Sequence, residues 1–266
     1  MASKRLLQTL KPHVPAPLLP AAVFAYRRIL LRALAEINDA RDRRRPSTGL
    51  PIPPASLRAR VHTLPDAKSF LEVGRRCVSD LESALAQTDN RPLESFTSVL
   101  DFGCGCGRTL RWLDGLTANA QLAGTDIDGE CVTWCLANIP FAHFTRNQLL
   151  PPLEFTNEKF DLVYALSVFT HLTESAQDAW LAELKRVTSP GAVLLLSIHG
   201  PHTWPSLPAR YRRQVEQEGF LWVDATENAY HSAAYVRERW SAQFDVQDVI
   251  PRAVVGYQDL VVARRS

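Results

Sequence analysis

Three glycines, Gly103, Gly105 and Gly107, stand at every second position where a short apolar run ends. The run predicts a buried parallel strand, and the glycines predict a tight turn after it. Glycine adopts backbone angles that other residues avoid, and its missing Cβ lets the main chain approach a ligand closely. A second apolar run ends at Asp126, where a nucleoside-binding βαβ unit places the carboxylate that accepts hydrogen bonds from ribose hydroxyls. Together the two runs predict a nucleoside cofactor site, whereas the glycines alone would also fit a plain strand-to-helix turn.

The residue that follows the last glycine narrows the choice of nucleoside. A dinucleotide fingerprint requires a third glycine at position 108, where helix and strand pack closely, but this chain has Arg108. The pattern therefore disfavours NAD and FAD. The apolar residues that come next, Leu110–Leu113, predict the first helix of the unit.

Five segments in order resemble the successive motifs of the class I S-adenosylmethionine-dependent methyltransferases, and the resemblance spans roughly residues 97 to 200. These segments are Val99–Gly107, Gly124–Asp128, Phe160–Ala165, Ser167–Leu172 and Leu184–Ala192. The resemblance implies S-adenosylmethionine as the cofactor and S-adenosylhomocysteine as its product. It also implies an α/β, Rossmann-like fold with a seven-stranded, mostly parallel sheet and an antiparallel C-terminal strand.

The same resemblance implies a set of cofactor-binding residues at the carboxyl ends of the strands. In the family, the loop after the third strand contacts adenine, and a helix before the first strand often covers the cofactor, so that Arg75 would pair with the methionine carboxylate. An exposed arginine with no ligand is the alternative at that position. The expected cofactor-binding residues are Asp101, Gly103, Cys104, Gly105, Gly107, Asp126, Ile127, Asn147, Gln148, Leu149, Ser167, Phe169 and Arg75.

Three histidines are candidate catalytic bases: His171, His199 and His231. The sulfonium of the cofactor already activates its methyl group, so a base is needed only if the acceptor must lose a proton. Imidazole titrates near neutral pH and suits that role, although a lone histidine is more often structural. Aromatic faces favour the sulfonium charge, and Phe169 or Tyr164 would supply one.

The five cysteines indicate neither a disulfide framework nor a metal site. Cys131 and Cys135 lie one helical turn apart, but no further Cys or His pair completes a tetrahedral set at an obvious spacing. Cys104 and Cys106 lie inside the glycine loop, where small side chains are tolerated beside a ligand. We therefore predict buried structural thiols, no metal and a reducing, cytoplasmic location.

The rest of the chain predicts two regions around this core. Residues 1–56 read as an N-terminal helical extension and a Pro-rich linker, and residues 57–266 as the methyltransferase domain. A helix that starts after Thr173 would end at Pro190-Gly191, and strand five would be Ala192–Ile198. An aromatic-rich insertion over about residues 200–242 follows strand five on the substrate side, with Ala229–Ser232 as a loop that feeds a short helix.

The distribution of charge and the absence of one motif limit the kinds of partner that we expect. Residues 1–45 carry ten Lys or Arg and three Asp or Glu, a balance of +7, so the remainder carries −5. The basic helix predicted from Ala21 to about Arg44 would allow weak contact with a membrane surface, or simply be a solvated face. No Asn/Asp-Pro-Pro-Tyr/Phe motif occurs, so nucleic acid is not expected.

The expected function is methyl transfer to a small-molecule acceptor. A membrane-associated lipid or glycan acceptor and a non-catalytic, cofactor-binding partner protein are the alternatives. The sequence leaves the oligomeric state and the methylated atom open.

Overall fold

The computed structural model describes residues 33–41, 49–62 and 66–266. The chain divides into two compact units, residues 1–70 and residues 71–266. In the first unit, residues 33–41 are helical and helix α1 is Ala55–Val61. Asp39 joins them, because its Oδ1 accepts a hydrogen bond of 2.6 Å from the Ala55 N–H and lies 3.4 Å from the Arg58 guanidinium. The predicted helix Ala21–Arg44 is thus helical over 33–41, and its other residues lie outside the described part of the chain.

The second unit contains a seven-stranded sheet in the order β3-β2-β1-β4-β5-β9-β8. Strands β1 to β5 pair in parallel, and β9 is antiparallel to both of its neighbours. The seven strands are β1 (Ser98–Phe102), β2 (Gln121–Asp126), β3 (Ala142–Arg146), β4 (Phe160–Ala165), β5 (Thr188–Ile198), β8 (Asp245–Val254) and β9 (Gln258–Arg264). This topology confirms the predicted Rossmann-like fold and its antiparallel final strand.

The central strands are buried on both faces, as their continuous apolar sequences require. Successive side chains point to opposite faces, so Leu100 and Val163 enter one core while Val99 and Leu162 enter the other. Helix α2 (Ala67–Thr88) contributes Leu81 and Leu85 to the second core. Helix α3 is Gly129–Asn138, and helix α4, Glu174–Val187, packs Trp180 and Leu184 into the first core.

The segment after the glycine loop departs from the predicted helix. It forms two short 3-10 helices, Leu110–Trp112 and Asp114–Ala118, instead of a regular α-helix. Bonds three residues apart close these turns, such as Leu113 N–H to the Leu110 carbonyl at 3.0 Å. The prediction of a first helix was wrong in type because the short connection to β2 must bury Leu110, Leu113 and Leu116 while it reverses direction.

Helix α4 begins as predicted and ends earlier. Thr173 is its N-cap and accepts a hydrogen bond from the Ala176 N–H, whereas the helix ends at Val187 and not at Pro190-Gly191. Strand β5 starts at Thr188 and passes through Pro190-Gly191 as an irregularity, because Phe160 pairs with Thr188 and Leu162 with Val193. Gly191 has φ +78°, an angle that glycine adopts readily at such a bulge.

The insertion after β5 forms a separate two-stranded sheet with a helix on either side of it in the chain. It contains α5 (Ala209–Glu218), the antiparallel pair β6 (Phe220–Val223) and β7 (Asn228–His231), and α6 (Ala233–Trp240). The predicted loop at Ala229–Ser232 is therefore mostly strand. Its residues pair with β6, a contact that the local sequence pattern does not reveal. The predicted short helix is confirmed, with Ser232 as N-cap on the Tyr235 N–H. Within the described ranges, no helix has both the length and the apolar character that crossing a bilayer requires.

Candidate functional site

The glycine loop turns away from β1 in a conformation that only glycine adopts easily. Gly103, Gly105 and Gly107 have φ angles of +82°, +53° and +72°. The N–H groups of Gly103 and Cys104 donate to the Thr125 carbonyl at 2.8 and 3.0 Å, which ties the loop to the end of β2. A Cβ on Gly103 would overlap Cγ2 of Val168, so the loop also fits closely against the segment that follows β4.

Asp126 organises the glycine loop as well as the end of β2. Its Oδ2 accepts a hydrogen bond of 2.7 Å from the Gly105 N–H, and its Oδ1 accepts one of 2.8 Å from the Asp128 N–H. Burial raises the pKa of this carboxyl, and the backbone donors partly offset the rise. Sequence reasoning missed the bond to Gly105, because no spacing rule reveals it. Each carboxylate oxygen keeps acceptor capacity for the predicted ribose contact.

Asp101 lies in β1, fully enclosed beneath the loop. Burial raises its pKa to about 7, with the Tyr164 hydroxyl opposing the rise and the nearby Asp126 adding to it. Tyr164 is also fully buried. A carboxyl group with this pKa holds a proton for much of the time at neutral pH, so it can act as a hydrogen-bond donor beneath the cofactor loop.

The loop after β3 presents the predicted adenine-binding residues. The Asn147 N–H donates to the Asp126 carbonyl at 3.1 Å, and its Oδ1 accepts from the Thr125 hydroxyl at 3.1 Å. Gln148 is exposed. Ile127 and Leu149 are exposed apolar side chains, 48% and 68% accessible, on the two loops that follow β2 and β3. Exposed apolar groups at this edge suit the faces of a purine ring.

Two residues that were predicted to contact the cofactor pack against aromatic side chains of the protein. The guanidinium of Arg75 is 4.6 Å from the centre of the Trp112 ring. Phe169 is fully buried, with its ring centre 5.0 Å from that of Trp240. Contact of Arg75 or Phe169 with a cofactor stays a prediction.

Four thiols lie near the loop, with Cys135 as the neighbour of Cys104 and Cys106 as the neighbour of Cys131. All four are buried, and the Sγ atoms of Cys104 and Cys135 also lie 3.6 and 3.5 Å from the Gly105 carbonyl oxygen. The partner thiol and burial both raise the pKa of Cys104 and of Cys131. Such thiols are poor nucleophiles and fill space between the loop and α3. No cluster of three or more possible metal ligands occurs among the described residues.

Ser167 joins three strands at the end of β4. It has φ +63°, which is unusual for a non-glycine residue. Its N–H donates to the Ser197 hydroxyl at 2.7 Å, and its own hydroxyl donates to Gln258 Oε1 at 3.1 Å. Ser197 and Gln258 are thus supports of the site, and the polar start of β9 was the only sequence signal for Gln258.

The structure brings two of the three predicted catalytic histidines to one edge. His199 directly follows β5, and the centre of its ring is 6.4 Å from that of His171 and 5.2 Å from that of Tyr230, on which it stacks. Burial, and then the nearby His171, lower the pKa of His199 to about 4. His199 is therefore neutral at pH 7.

His231 lies apart, fully buried within the insertion. Its Nε2 is 3.0 Å from Gln177 Oε1, and the Gln177 amide donates to the Phe169 and Leu172 carbonyls at 3.2 and 3.0 Å. Those two carbonyls fix the orientation of the amide, so Oε1 accepts and the His231 Nε2 carries the proton. Burial lowers the pKa of His231 to about 3. The arrangement attaches the insertion to α4 through Gln177 and indicates a structural role.

The buried His231 predicts acid sensitivity. Its pKa in the folded chain, about 3, is below the ordinary value of 6.5. As the pH falls below 6.5, His231 is therefore protonated in the unfolded chain but not in the folded chain. Stability should therefore decline by about 1.4 kcal/mol per pH unit from this residue alone. His199 acts in the same direction, and Asp101 in the opposite one between about pH 4 and 7.

Urea unfolding of the wild type and of His231→Asn measures this effect. Between about pH 4 and 6, the unfolding free energy of the variant should fall less steeply as the pH is lowered. The difference between the two slopes should correspond to about one bound proton. Between about pH 7.5 and 8.5 the two slopes should agree, since histidine is neutral in both the folded and the unfolded state. Equal slopes in the acid range would show that His231 is not the sensitive group.

Comparison with known proteins agrees with this geometry. Residues 99–191 match a family model described as a methyltransferase domain. The fold resembles the PH0226 protein from Pyrococcus horikoshii OT3, with TM-score 0.54, 16% identity, and coverage of 72% of this chain and 91% of that one. It also resembles a chain from a complex that contains the Haloferax volcanii Trm112 methyltransferase activator, with TM-score 0.54, 16% identity and coverage of 74% and 94%.

A third similar structure is human N-acetylserotonin methyltransferase in complex with S-adenosylmethionine, with TM-score 0.50 and 16% identity. The similarity covers 73% of this chain and 51% of that one. At these identities the structures show the fold alone. Residues 99–191 thus match a methyltransferase domain, and the sheet has the Rossmann-like fold of class I S-adenosylmethionine-dependent methyltransferases. S-adenosylmethionine is the cofactor of such a domain, and the glycine loop, the Asp126 carboxylate and the apolar Ile127 and Leu149 fit it.

Proposed function

We propose that this protein transfers a methyl group from S-adenosylmethionine to a small-molecule acceptor bound beside His199 and Tyr230. When bound, the cofactor supplies a methyl group that its sulfonium has already activated. The protein then has to hold the acceptor in line and keep water out. The loop after β1 and Asp126 would hold the cofactor, and the residues that follow β4 and β5 would hold the acceptor.

The observation that carries this proposal is the attachment of the insertion to the end of β5. His199 bridges to Tyr230 of β7, and the His231 N–H donates to the His199 carbonyl at 2.9 Å. The insertion therefore lies over the sheet edge where ligands of open α/β folds bind. Tyr230 of the insertion and the half-exposed Tyr257, from the turn between β8 and β9, bring rings to that edge, with ring centres 5.2 and 6.1 Å from that of His199. A small, partly apolar molecule suits an edge lined by such rings.

Release of S-adenosylhomocysteine tests the proposal. The protein is incubated with S-adenosylmethionine carrying a deuterated methyl group, and separately with a small-molecule ultrafiltrate of a cell extract, the retained macromolecules, and lipid vesicles. We expect S-adenosylhomocysteine to be released with the ultrafiltrate, and mass spectrometry to detect a small product that carries the deuterated methyl group. Release with only the macromolecules or vesicles would contradict the small-molecule acceptor, and cofactor binding without release in any arm would favour a non-catalytic partner protein.

A further inference from the structure

Two histidines at the acceptor edge have one ring nitrogen fixed by a hydrogen bond, and the other ring nitrogen has no hydrogen-bond partner among the residues that the structure describes. Nδ1 of His199 lies 3.2 Å from the Ala229 carbonyl oxygen, and Nδ1 of His171 lies 2.8 Å from the Glu227 carbonyl oxygen. A carbonyl oxygen only accepts hydrogen bonds, so both Nδ1 atoms carry the proton when the rings are neutral. Each Nε2 is then a lone-pair acceptor. Both carbonyls belong to the β6–β7 part of the insertion, which therefore sets the tautomer of both rings.

The two rings differ in how firmly they are held. His199 is buried, 8% exposed, and its backbone is bridged to Tyr230, against which its ring also stacks. His171 is exposed and lies in a short 3-10 helix, Phe169–His171. The rings close to that of His199 are His171, Tyr230 and Tyr257, and His231 also interacts with it electrostatically. The Asp259 carboxylate lies against Gly200, the next residue, but burial and His171 lower the pKa of His199, so its ring is unprotonated at neutral pH.

His199 also lies next to the methyl-transfer edge by the sheet register. Ala165 of β4 pairs with Leu196 of β5, so Ser167 and Ile198 are level and His199 follows directly. Neighbouring strands lie about 4.8 Å apart. The tie from the Ser167 N–H to the Ser197 hydroxyl keeps this register beyond the last paired residues.

We infer that His199, through its Nε2, is the catalytic base of this site, and that the acceptor is an aromatic or enolic hydroxyl. This inference rests on the proposed methyl transfer and adds the class of the acceptor atom. The acceptor oxygen forms a bond to the methyl carbon as the bond from that carbon to sulfur breaks. The electron pair of the broken bond stays on sulfur, and the hydroxyl proton moves to Nε2. His171, which is exposed, then offers a route for that proton to water.

A hydroxyl is the acceptor that makes such a base necessary. A neutral amine presents its lone pair without losing a proton first, and a thiol ionises near pH 8.5. A phenol holds its proton up to about pH 10, but that proton becomes strongly acidic as the bond from oxygen to the methyl carbon forms. Nε2 of His199 can therefore accept it in the transition state even with a pKa of about 4. The stacked Tyr230 ring and the exposed Tyr257 ring provide flat apolar faces for a planar molecule.

The tautomer is tested without turnover. Nitrogen-15 NMR of the labelled protein bound to S-adenosylhomocysteine should show His199 with a proton on Nδ1 and a bare Nε2. Addition of phenol should shift the Nε2 resonance of His199, whereas addition of aniline should leave it in place. A proton on Nε2 of His199, or an unshifted resonance with phenol, would overturn the assignment.

Matched acceptors and variants test the chemistry. Phenol, aniline and thiophenol are supplied to the wild type, His199→Gln, His171→Gln and the control His143→Gln, which changes an exposed residue of β3. We expect turnover of phenol that falls by about 100-fold or more in His199→Gln and by less than about tenfold in His171→Gln. S-adenosylhomocysteine should bind to all four proteins with unchanged affinity by calorimetry.

The outcomes separate this inference from the proposed function. Turnover of phenol that survives His199→Gln within about threefold would overturn the role of His199. Turnover of only aniline or thiophenol, or of no acceptor in the panel, would overturn the hydroxyl class, while the ultrafiltrate assay continues to decide the small-molecule acceptor. Failure of the wild type to bind S-adenosylhomocysteine would instead overturn the proposed function itself.

Discussion

Replacing Gly103 with alanine is expected to weaken binding of S-adenosylhomocysteine by about 100-fold. A left-handed backbone costs a residue with a Cβ about 1–2 kcal/mol, and overpacking costs about 1–3 kcal/mol more. Both costs apply here, because Gly103 has φ +82° and its new Cβ would overlap Val168. The loop would move to relieve the strain. The free energy needed to return the loop to its binding conformation would weaken binding, by tenfold for each ~1.4 kcal/mol. Isothermal calorimetry measures that loss.

Three variants separate the two costs of the Gly103 substitution. The double variant Gly103→Ala/Val168→Ala removes the overlap and should recover part of the affinity. Gly191→Ala carries the same backbone strain, with φ +78° and open space around its Cβ, so it should lower stability without changing affinity. Gly115→Ala has open space and no positive φ, and should change neither. Affinity of Gly103→Ala within about threefold of the wild type would show that the loop does not bind the cofactor.

Asp126→Asn is expected to reduce affinity for S-adenosylhomocysteine by about 100-fold as well. The carboxylate accepts hydrogen bonds from the N–H groups of Gly105 and Asp128. An amide has one oxygen, so either its NH2 group faces a backbone donor or one bond is lost. Hydrogen bonds to a charged group contribute about 1.5–3 kcal/mol each. The variant would therefore release the glycine loop and also lose the predicted ribose contact.

Asp161→Asn is the matched control for this prediction. Asp161 accepts backbone hydrogen bonds from the Thr97 and Ser98 N–H groups at 2.8 and 2.9 Å, at the opposite edge of the sheet. Its substitution should lower thermal stability about as much as Asp126→Asn and leave affinity unchanged. If both variants lose affinity equally, the effect of Asp126→Asn would reflect general stability, and the role of Asp126 at the cofactor site would be contradicted.

Local chemistry explains which elements could be predicted from the sequence. The caps Asp128 and Thr173 are found because a side-chain oxygen satisfies backbone donors within three residues. Strands β1, β4 and β5 are found because burial on both faces demands continuous apolar runs. The errors at Leu110–Leu113 and Pro190-Gly191 have a common cause, since tertiary packing or pairing with a distant strand overrides local propensity.

The sequence by itself indicated the resemblance to class I methyltransferases, the mostly parallel sheet with its antiparallel final strand, and the glycine–acid pair, because these depend on short spacings and on burial of whole strands. Only the tertiary structure decided the relation among His171, His199 and His231. Their ring nitrogens are fixed by the Glu227 and Ala229 carbonyls and by the Gln177 amide, which are distant in the chain. A histidine's tautomer and pKa depend on such neighbours and on burial. The residue type alone therefore left three equal candidates, and only the fold shows that their ring nitrogens have different partners.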